Sequence, residues 1–174
     1  MLIGIDLDNT IINYKKSFLE ILKSKNINSK NLNKKEVKKI IEKKSKREWT
    51  IIQGEIYGKK IFKAEIFKNF NKFLDFAISK NFEIVIISHK TKYPIIGPKI
   101  NLHDQAIKFL KKRIKKKNYF VHKKNLFFFE KIEKKIEKIN KLDCDYFIDD
   151  LRKVLFDKKF PHFTERILFN NKSN

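Results

Sequence analysis

Length, composition and charge exclude several classes of protein. The chain has 174 residues, of which 41% are hydrophobic and 17 are phenylalanine, so we expect one folded domain with room for a small insertion. No apolar run approaches the roughly 18 residues of a membrane span, and acids interrupt the N-terminus too early for a signal peptide. The single cysteine, Cys144, excludes an internal disulfide. These observations predict a cytoplasmic protein without a membrane partner, and leave its oligomeric state open.

The formal net charge of +22 invites a nucleic-acid-binding interpretation. Only four of the 42 basic residues are arginine, however, and alanine is scarce beside isoleucine, asparagine and phenylalanine. That skew is what an AT-rich genome produces, with lysine at most solvated positions. Proteins that read nucleic acids tend to use arginine for bidentate contacts. The composition therefore disfavours nucleic acid as a partner.

The N-terminal stretch combines a buried strand with two acids. The apolar run from Leu2 to Ile5 leads directly into Asp6, and Asp8 follows two positions later. This spacing points both carboxylates to one side of the strand end, where they repel and need a cation or a shared proton. Turn or N-cap chemistry would explain Asp8 but leaves Asp6 without a reason. The stretch therefore indicates a functional site.

Helical and extended patterns alternate along the rest of the chain. Apolar residues at helical spacing predict helices over residues 14–26, 34–46, 65–80, 103–116, 130–142 and 151–156. Short apolar runs predict strands over residues 82–87, 125–129, 145–148 and 166–169. Residues 47–61 hold two glycines and two aromatics and predict turns and short extended pieces, forming either a pocket wall or an ordinary packed connection. Residues 93–102, which contain two prolines, predict a structured loop.

Strands that alternate with helices predict an α/β fold with a Rossmann-like core. We expect a five-stranded parallel sheet flanked by helices, joined by right-handed crossovers. In such sheets ligands bind at the carboxyl ends of the strands. The polar residues that follow predicted strands are Asp6 and Asp8, Ser88, and Asp149 and Asp150. They are therefore expected to meet in one site.

Taken together, these motifs resemble those of the haloacid dehalogenase (HAD) superfamily. The resemblance rests on Asp6-x-Asp8-x-Thr10, on Ser88, on a downstream lysine and on the pair Asp149-Asp150, and it spans the whole chain in order. The runs around these residues, such as Ile87-Ser88-His89-Lys90-Thr91, look like those of a bacterial group of small HAD-like hydrolases. The motifs do not reveal that group's substrates.

The resemblance implies a phosphatase that depends on Mg²⁺. Asp6 would attack phosphorus and form an aspartyl-phosphate, and Asp8 would protonate the leaving oxygen and then activate water. The metal would be held by Asp6, by the backbone carbonyl of Asp8, and by Asp149 and Asp150, one of them directly and the other through water. Within the superfamily, dehalogenases and P-type ATPases lack an acid at the position of Asp8. Its presence therefore implies phosphoryl transfer to water, and the modest insertion disfavours a mutase.

The resemblance also implies a set of phosphate-binding residues. Ser88 would bind the transferring group together with backbone N–H groups after Asp6, and a lysine would balance the charge. Lys135 is the best match for that lysine, with Lys131 and Lys134 as rivals. The predicted phosphate-binding residues are Ser88, Lys135, Asn9, Thr10 and His89.

The insertion between the first acids and Ser88 occupies the place of a small helical cap. We expect a core domain of residues 1–12 and 64–174 and a cap of residues 13–63. A cap over the site excludes water and reads the leaving group. Candidate substrate contacts, each equally well explained by a structural role, are Trp49, Tyr57, His89, Lys90, His103 and Asp104.

The leading functional hypothesis is a phosphatase for a small phosphorylated metabolite such as a sugar phosphate or a nucleotide. One alternative is a phosphatase that acts on nucleic-acid ends, which the basic charge favours. Another is a phosphate-binding protein on a HAD fold that has lost catalysis, which the intact Asp6, Asp8, Ser88 and Asp149-Asp150 disfavour.

Overall fold

A computed structural model of the chain describes residues 1–27, 34–115 and 123–170. Residue 116, the last of the predicted helix 103–116, lies outside this range. The helices are α1 (Lys15–Ser24), α2 (Lys34–Lys44), α3 (Lys46–Tyr57), α4 (Phe70–Ser79), α5 (Leu102–Arg113), α6 (Ile132–Lys141) and α7 (Arg152–Leu155). The strands are β1 (Leu2–Ile5), β2 (Ile12–Asn13), β3 (Glu65–Ile66), β4 (Glu83–His89), β5 (Leu126–Phe129), β6 (Tyr146–Asp149) and β7 (Glu165–Leu168).

Five of these strands form one parallel sheet in the order β5-β4-β1-β6-β7. The central strand β1 pairs with β4 on one side and with β6 on the other, so that Ile5 lies opposite both Ile86 and Ile148. The order reverses at β1, because the chain runs outward through β4 and β5 and then returns to β6 on the opposite side. The structure confirms the predicted α/β core with a five-stranded parallel sheet.

Burial along the strands follows their position in the sheet. β4 is buried from Ile84 to Ser88, whereas the edge strand β7 is exposed throughout. A strand covered on both faces by helices requires a continuous apolar run, which β4 supplies. One core cluster packs β4 and β6 against α6 and α7, and its members are Val85, Ile87, Ile136, Ile139, Cys144, Phe147, Val154, Leu155 and Phe160.

Gly4 in the middle of β1 allows this core to close. A Cβ atom at that position would lie 2.5 Å from Cδ2 of Phe147 and 3.1 Å from Sγ of Cys144. Only a residue without a side chain leaves space for the Phe147 ring beside β1. The glycine therefore allows Phe147 of β6 to pack closely against β1, below the acidic residues at the carboxyl ends of the two strands.

The chain divides into two compact units. The first comprises Met1–Asn13, Ile66–Lys90 and Leu110–Asn174, and contains the parallel sheet. The second comprises Tyr14–Glu65 and Thr91–Phe109. Nearly all of the predicted cap falls in the second unit, which also takes in a segment that follows Lys90.

The second unit corrects one prediction from the sequence. Residues 47–61 were expected to form turns and extended pieces, but α3 runs from Lys46 to Tyr57 and a short 3-10 helix follows at Ile61–Lys63. Ser45 caps α3, because its hydroxyl accepts a hydrogen bond from the N–H of Glu48 at 3.2 Å. Gly54 lies inside the helix, where a Cβ would stand 3.0 Å from Cβ of Pro94.

The predicted helix over residues 65–80 also begins later than expected. Glu65 and Ile66 form β3, which pairs with β2 in a separate two-stranded sheet, and α4 starts only at Phe70. Because Glu65 and Ile66 pair with β2, they are extended even though the spacing of the apolar residues predicts a helix there. Among the described residues, no helix is long and apolar enough to cross a membrane.

Candidate active site

Two acids at the carboxyl ends of adjacent strands meet at one lysine. The N–H of Asp6 donates to the carbonyl of Ile148 at 2.8 Å, so the ladder between β1 and β6 continues to Asp6 and sets it beside Asp149. The Nζ of Lys135 lies 2.6 Å from Oδ1 of Asp6 and 2.6 Å from Oδ2 of Asp149. All three residues are buried, and Lys135 and Asp149 have no exposed area. The remaining Oδ1 of Asp149 accepts the N–H of Leu151 at 2.8 Å.

The pKa values of this cluster reflect burial and charge together. The pKa of Asp6 is raised to about 7, chiefly by burial; the Asp149 and Asp8 carboxylates also raise it, and the Lys135 ammonium lowers it. Burial by itself would lower the pKa of Lys135, but attraction to Asp6 and Asp149 outweighs that effect and the pKa is raised. The lysine therefore stays charged at neutral pH, and the acids around it carry strong mutual repulsion.

Three carboxylates stand close enough to share one metal ion. One oxygen each of Asp6, Asp149 and Asp150 lies within 4.8 Å of the other two. Asp6 and Asp149 are buried, and Asp150 is partly exposed. Three hard oxygen donors grouped at the edge of a sheet suit Mg²⁺, which prefers carboxylates and keeps several waters. The residues present therefore fit the metal that the sequence motifs imply.

A second lysine pairs with the other acid of the N-terminal motif. The Nζ of Lys90 lies 2.7 Å from Oδ2 of Asp8, and the Lys90 side chain is 2% exposed. When all their carboxyls are ionised, Asp6, Asp8, Asp149 and Asp150 outnumber Lys90 and Lys135 by two charges. One divalent cation would balance that excess. The net charge of the cluster and its three carboxylate oxygens therefore both suit one divalent cation.

Two buried hydroxyl groups lie on segments that lead into this cluster. The Oγ atoms of Ser88, at the end of β4, and of Thr10, in the loop after β1, have no hydrogen-bond partner within the described part of the chain. Both residues are buried, with Ser88 at 0% and Thr10 at 4% exposure. A buried hydroxyl without a partner loses free energy, so such groups usually serve a ligand or an ordered water.

A tight turn carries the loop past the two N-terminal acids. The N–H groups of Ile11 and Ile12 both donate to the carbonyl of Leu7, and the N–H of Asn9 donates to the carbonyl of Ile12. Asn9 has a φ of 65°, in the left-handed region that asparagine tolerates better than most residues. The backbone N–H of Asn9, one of the predicted phosphate-binding residues, is thus engaged within the turn.

The three candidate lysines of the sequence differ clearly in the structure. Lys131 is exposed and precedes α6, and Lys134 pairs with Glu137 on the surface at 2.7 Å, whereas Lys135 reaches the acids. The spacing of residues along α6 already indicates that Lys135 faces inward. Lys135 lies three residues after Ile132 and four before Ile139, so it shares their inward face.

Other predicted residues lie apart from the acid–lysine contacts. His89 is partly exposed, and its Nε2 lies 3.0 Å from the carbonyl oxygen of Glu130. Trp49 and Tyr57 belong to the second unit, where Trp49 packs edge-on against Phe18 and Tyr57 packs edge-on against Tyr14. Both rings therefore contribute to packing within that unit.

The remaining candidates lie at the start of α5 in the second unit. The N–H groups of His103 and Asp104 donate to the Asn101 side chain, which caps the helix. The same unit has a cavity of about 150 Å³ between α3 and the loop before α5. Trp49, Tyr57 and His103 do not line that cavity; its lining is mostly apolar and includes Glu55, Lys59 and Lys60.

Comparison with known proteins supports the fold through structure alone. Neither a family model nor a curated protein matches the sequence. The structure is similar to that of a hydrolase from Streptococcus pneumoniae TIGR4, with a TM-score of 0.59, 11% identity and coverage of 97% of this chain and 92% of that one. It is also similar to a haloacid dehalogenase-like family hydrolase from Streptococcus pneumoniae, with a TM-score of 0.51, 13% identity and coverage of 88% and 77%. At these identities the similarities show the fold alone, and it is the α/β fold that the sequence motifs predict.

Proposed function

With the HAD-like fold as the premise, we propose that this protein is a Mg²⁺-dependent phosphatase that acts through an aspartyl-phosphate on Asp6. The observation that carries the proposal is the buried contact of Lys135 with both Asp6 and Asp149 at 2.6 Å. One acid would be enough to neutralise a buried lysine that had only a structural role. Here a fixed positive charge lies against the proposed nucleophile and a second acid, which suits a site that receives a phosphoryl group.

The chemistry follows from the residues around Asp6. The Asp6 carboxylate attacks phosphorus, the new O–P bond forms an acyl phosphate, and the ester P–O bond breaks. The leaving oxygen takes a proton from Asp8, which is thereby ionised. In the second step water attacks the same phosphorus and gives one proton to Asp8, the Asp6 O–P bond breaks, and inorganic phosphate leaves with the other proton. Asp6 and Asp8 return to their starting states, so the balance is one ester and one water for one alcohol and one phosphate.

Other residues would bind and neutralise the transferring group. The hydroxyls of Ser88 and Thr10 are buried and ready to donate to phosphoryl oxygens, and the Lys135 ammonium balances their charge. Asp6, Asp149 and Asp150 would hold the metal ion, together with the backbone carbonyl of Asp8. When bound, Mg²⁺ supplies charge neutralisation that allows an anionic carboxylate to approach an anionic phosphate.

A small phosphorylated metabolite, such as a sugar phosphate or a nucleotide, is the substrate class we propose. The single buried Cys144 supports a reducing compartment such as the cytoplasm. The net charge of +22 favours one other candidate, a phosphorylated nucleic-acid end. Activity on a phosphorylated oligonucleotide that exceeds activity on mononucleotides and falls steeply with salt would identify that second substrate class.

The experiment that tests the proposal is hydrolysis of 4-nitrophenyl phosphate by the wild-type protein and by Asp6→Asn, each with Mg²⁺ and with EDTA. We expect turnover that requires the metal and falls by at least about 10³-fold in Asp6→Asn, because the amide cannot form the acyl phosphate. Asp75→Asn, which replaces an exposed acid on α4, is the matched control and should retain wild-type activity.

Two outcomes would contradict the proposal. Metal-dependent hydrolysis that survives in Asp6→Asn would show that another group attacks phosphorus. Hydrolysis unaffected by EDTA would show that the acidic cluster does not serve a required metal ion.

A further inference from the structure

Lys90 is held at the carboxyl edge of the sheet by its backbone. It directly follows β4, and its N–H donates to the carbonyl of Phe129, the last residue of β5, at 2.8 Å. Its side chain is 2% exposed and ends 2.7 Å from Oδ2 of Asp8. A buried ammonium requires a partner, since a charge removed from water without one costs several kcal/mol or more. The contact with Asp8 is therefore a built feature of the site.

The two acids of the N-terminal motif thus have different lysine partners. Asp6 pairs with Lys135 from α6, and Asp8 pairs with Lys90 from the end of β4. The turn after β1 fixes the backbone of this segment, but an aspartate carboxylate still rotates about two side-chain bonds. An ammonium at 2.7 Å limits that rotation by anchoring one carboxylate oxygen.

We propose that Lys90 is a positioning residue, which holds the Asp8 carboxyl group in the orientation needed for proton exchange with the leaving oxygen and with water. This inference rests on the proposed function, in which Asp8 carries the proton. In this inference Lys90 acts only through Asp8 and does not contact the substrate. Misplacement of a reacting group by about 1 Å costs about 10²-fold in rate, so the anchor has a measurable effect.

The test compares two phosphate esters that differ in their need for a proton. The leaving group of 4-nitrophenyl phosphate is stable as an anion, whereas the alkoxide of benzyl phosphate must be protonated as it leaves. Lys90→Met should therefore lower kcat on benzyl phosphate by about tenfold more than on 4-nitrophenyl phosphate, with KM changed less than about threefold. Lys72→Met, at an exposed position on α4, is the matched control and should behave as wild type.

Two further variants separate positioning from a general loss of structure. Lys90→Arg keeps the charge and should recover part of the benzyl phosphate rate, and it serves as the test variant if Lys90→Met does not fold. The double variant Asp8→Asn/Lys90→Met should lose no more than about twofold beyond Asp8→Asn alone, because Lys90 acts through Asp8.

The outcomes distinguish this inference from the function on which it rests. Hydrolysis of neither ester by the wild-type protein contradicts the proposed function, and the inference with it. If the wild type hydrolyses both esters and Lys90→Met slows them equally, the inference alone is overturned. A rise in KM at unchanged kcat also overturns it, because Lys90 would then bind the substrate directly.

Discussion

Lys135 supplies the positive charge that offsets the repulsion between the buried carboxylates of Asp6 and Asp149. Lys135→Met removes the ammonium that lies between these two carboxylates and leaves them without a counter-charge. We expect a loss of at least about 10²-fold in kcat on 4-nitrophenyl phosphate and a fall of about 3 kcal/mol in the free energy of unfolding without metal. Steady-state kinetics and urea denaturation would measure the two effects.

Lys134 provides the control for that prediction. It is the preceding residue on α6, and its ion pair with Glu137 lies on the surface. Surface pairs of this kind contribute about 0 to 1 kcal/mol, so Lys134→Met should change neither quantity by much. Equal effects of the two substitutions would contradict the role given to the buried lysine.

Cys144 gives a prediction that concerns the core beneath the site. The pKa of its thiol is raised to about 11, chiefly by burial and also by the nearby carboxylates of Asp145 and Asp143. Because the folded pKa is the higher one, the thiol favours the folded state below its ordinary pKa, 9.0, and this contribution is lost as the pH rises toward 11.

The measurement is alkylation by iodoacetamide at pH 8. The folded protein should react at least about a hundredfold more slowly than the protein in concentrated urea, since the thiolate is the reactive form and the residue is fully buried. Equal rates in the two conditions would mean that Cys144 does not lie in the closed core around Gly4 and Phe147.

At the scale of elements, α3 depends on a capping interaction. Ser45 and Glu48 form the pattern Ser-x-x-Glu, and the Ser45 hydroxyl accepts the N–H of Glu48. Ser45→Ala should reduce the stability of α3 by about 1 kcal/mol, measured by hydrogen exchange of its amides. Thr50→Ala, within the same helix, is the comparison and should change it by less than about 0.5 kcal/mol. Equal protection in Ser45→Ala and wild type would show that the cap contributes nothing.

The sheet was predictable from the sequence because its signals are local. Continuous apolar runs marked the buried strands, and the rule that ligands bind at the carboxyl ends of parallel strands grouped Asp6, Ser88 and Asp149. The α3 helix was missed because Gly54 and the aromatic residues near it suggested turns. The Ser45–Glu48 capping pattern was the local signal that would have indicated the helix.

Contacts between distant parts of the chain could not be predicted. Asp8 and Lys90 are 82 positions apart, and no local pattern shows that a lysine after β4 pairs with an acid after β1. The segment Thr91–Phe109 joins the second unit because Pro94 and Ile96 pack onto α3 at Gly54, which is also a long-range relation. Periodicity predicts which face of a helix is buried, but not what that face meets.

At the scale of the whole molecule, charge and site chemistry have separate origins. The excess of lysine gives the chain its net charge of +22, and most lysine side chains in the described part of the chain are exposed. The proposed chemistry would depend on two lysines that are buried against acids in the described part of the chain, Lys90 and Lys135. Surface charge affects association with anions in general, whereas the buried pairs would determine the proposed reaction.

The most direct test of the account is to locate a phosphoenzyme. Asp8→Asn should form the aspartyl-phosphate with Mg²⁺ and 4-nitrophenyl phosphate but hydrolyse it slowly, because water is no longer activated. Acid quenching, borohydride reduction of the acyl phosphate and peptide mass spectrometry identify the modified residue. We predict modification at Asp6 and none in the double variant Asp6→Asn/Asp8→Asn. Turnover by the wild type with no phosphoenzyme in Asp8→Asn, or modification of another residue, would contradict Asp6 as the nucleophile.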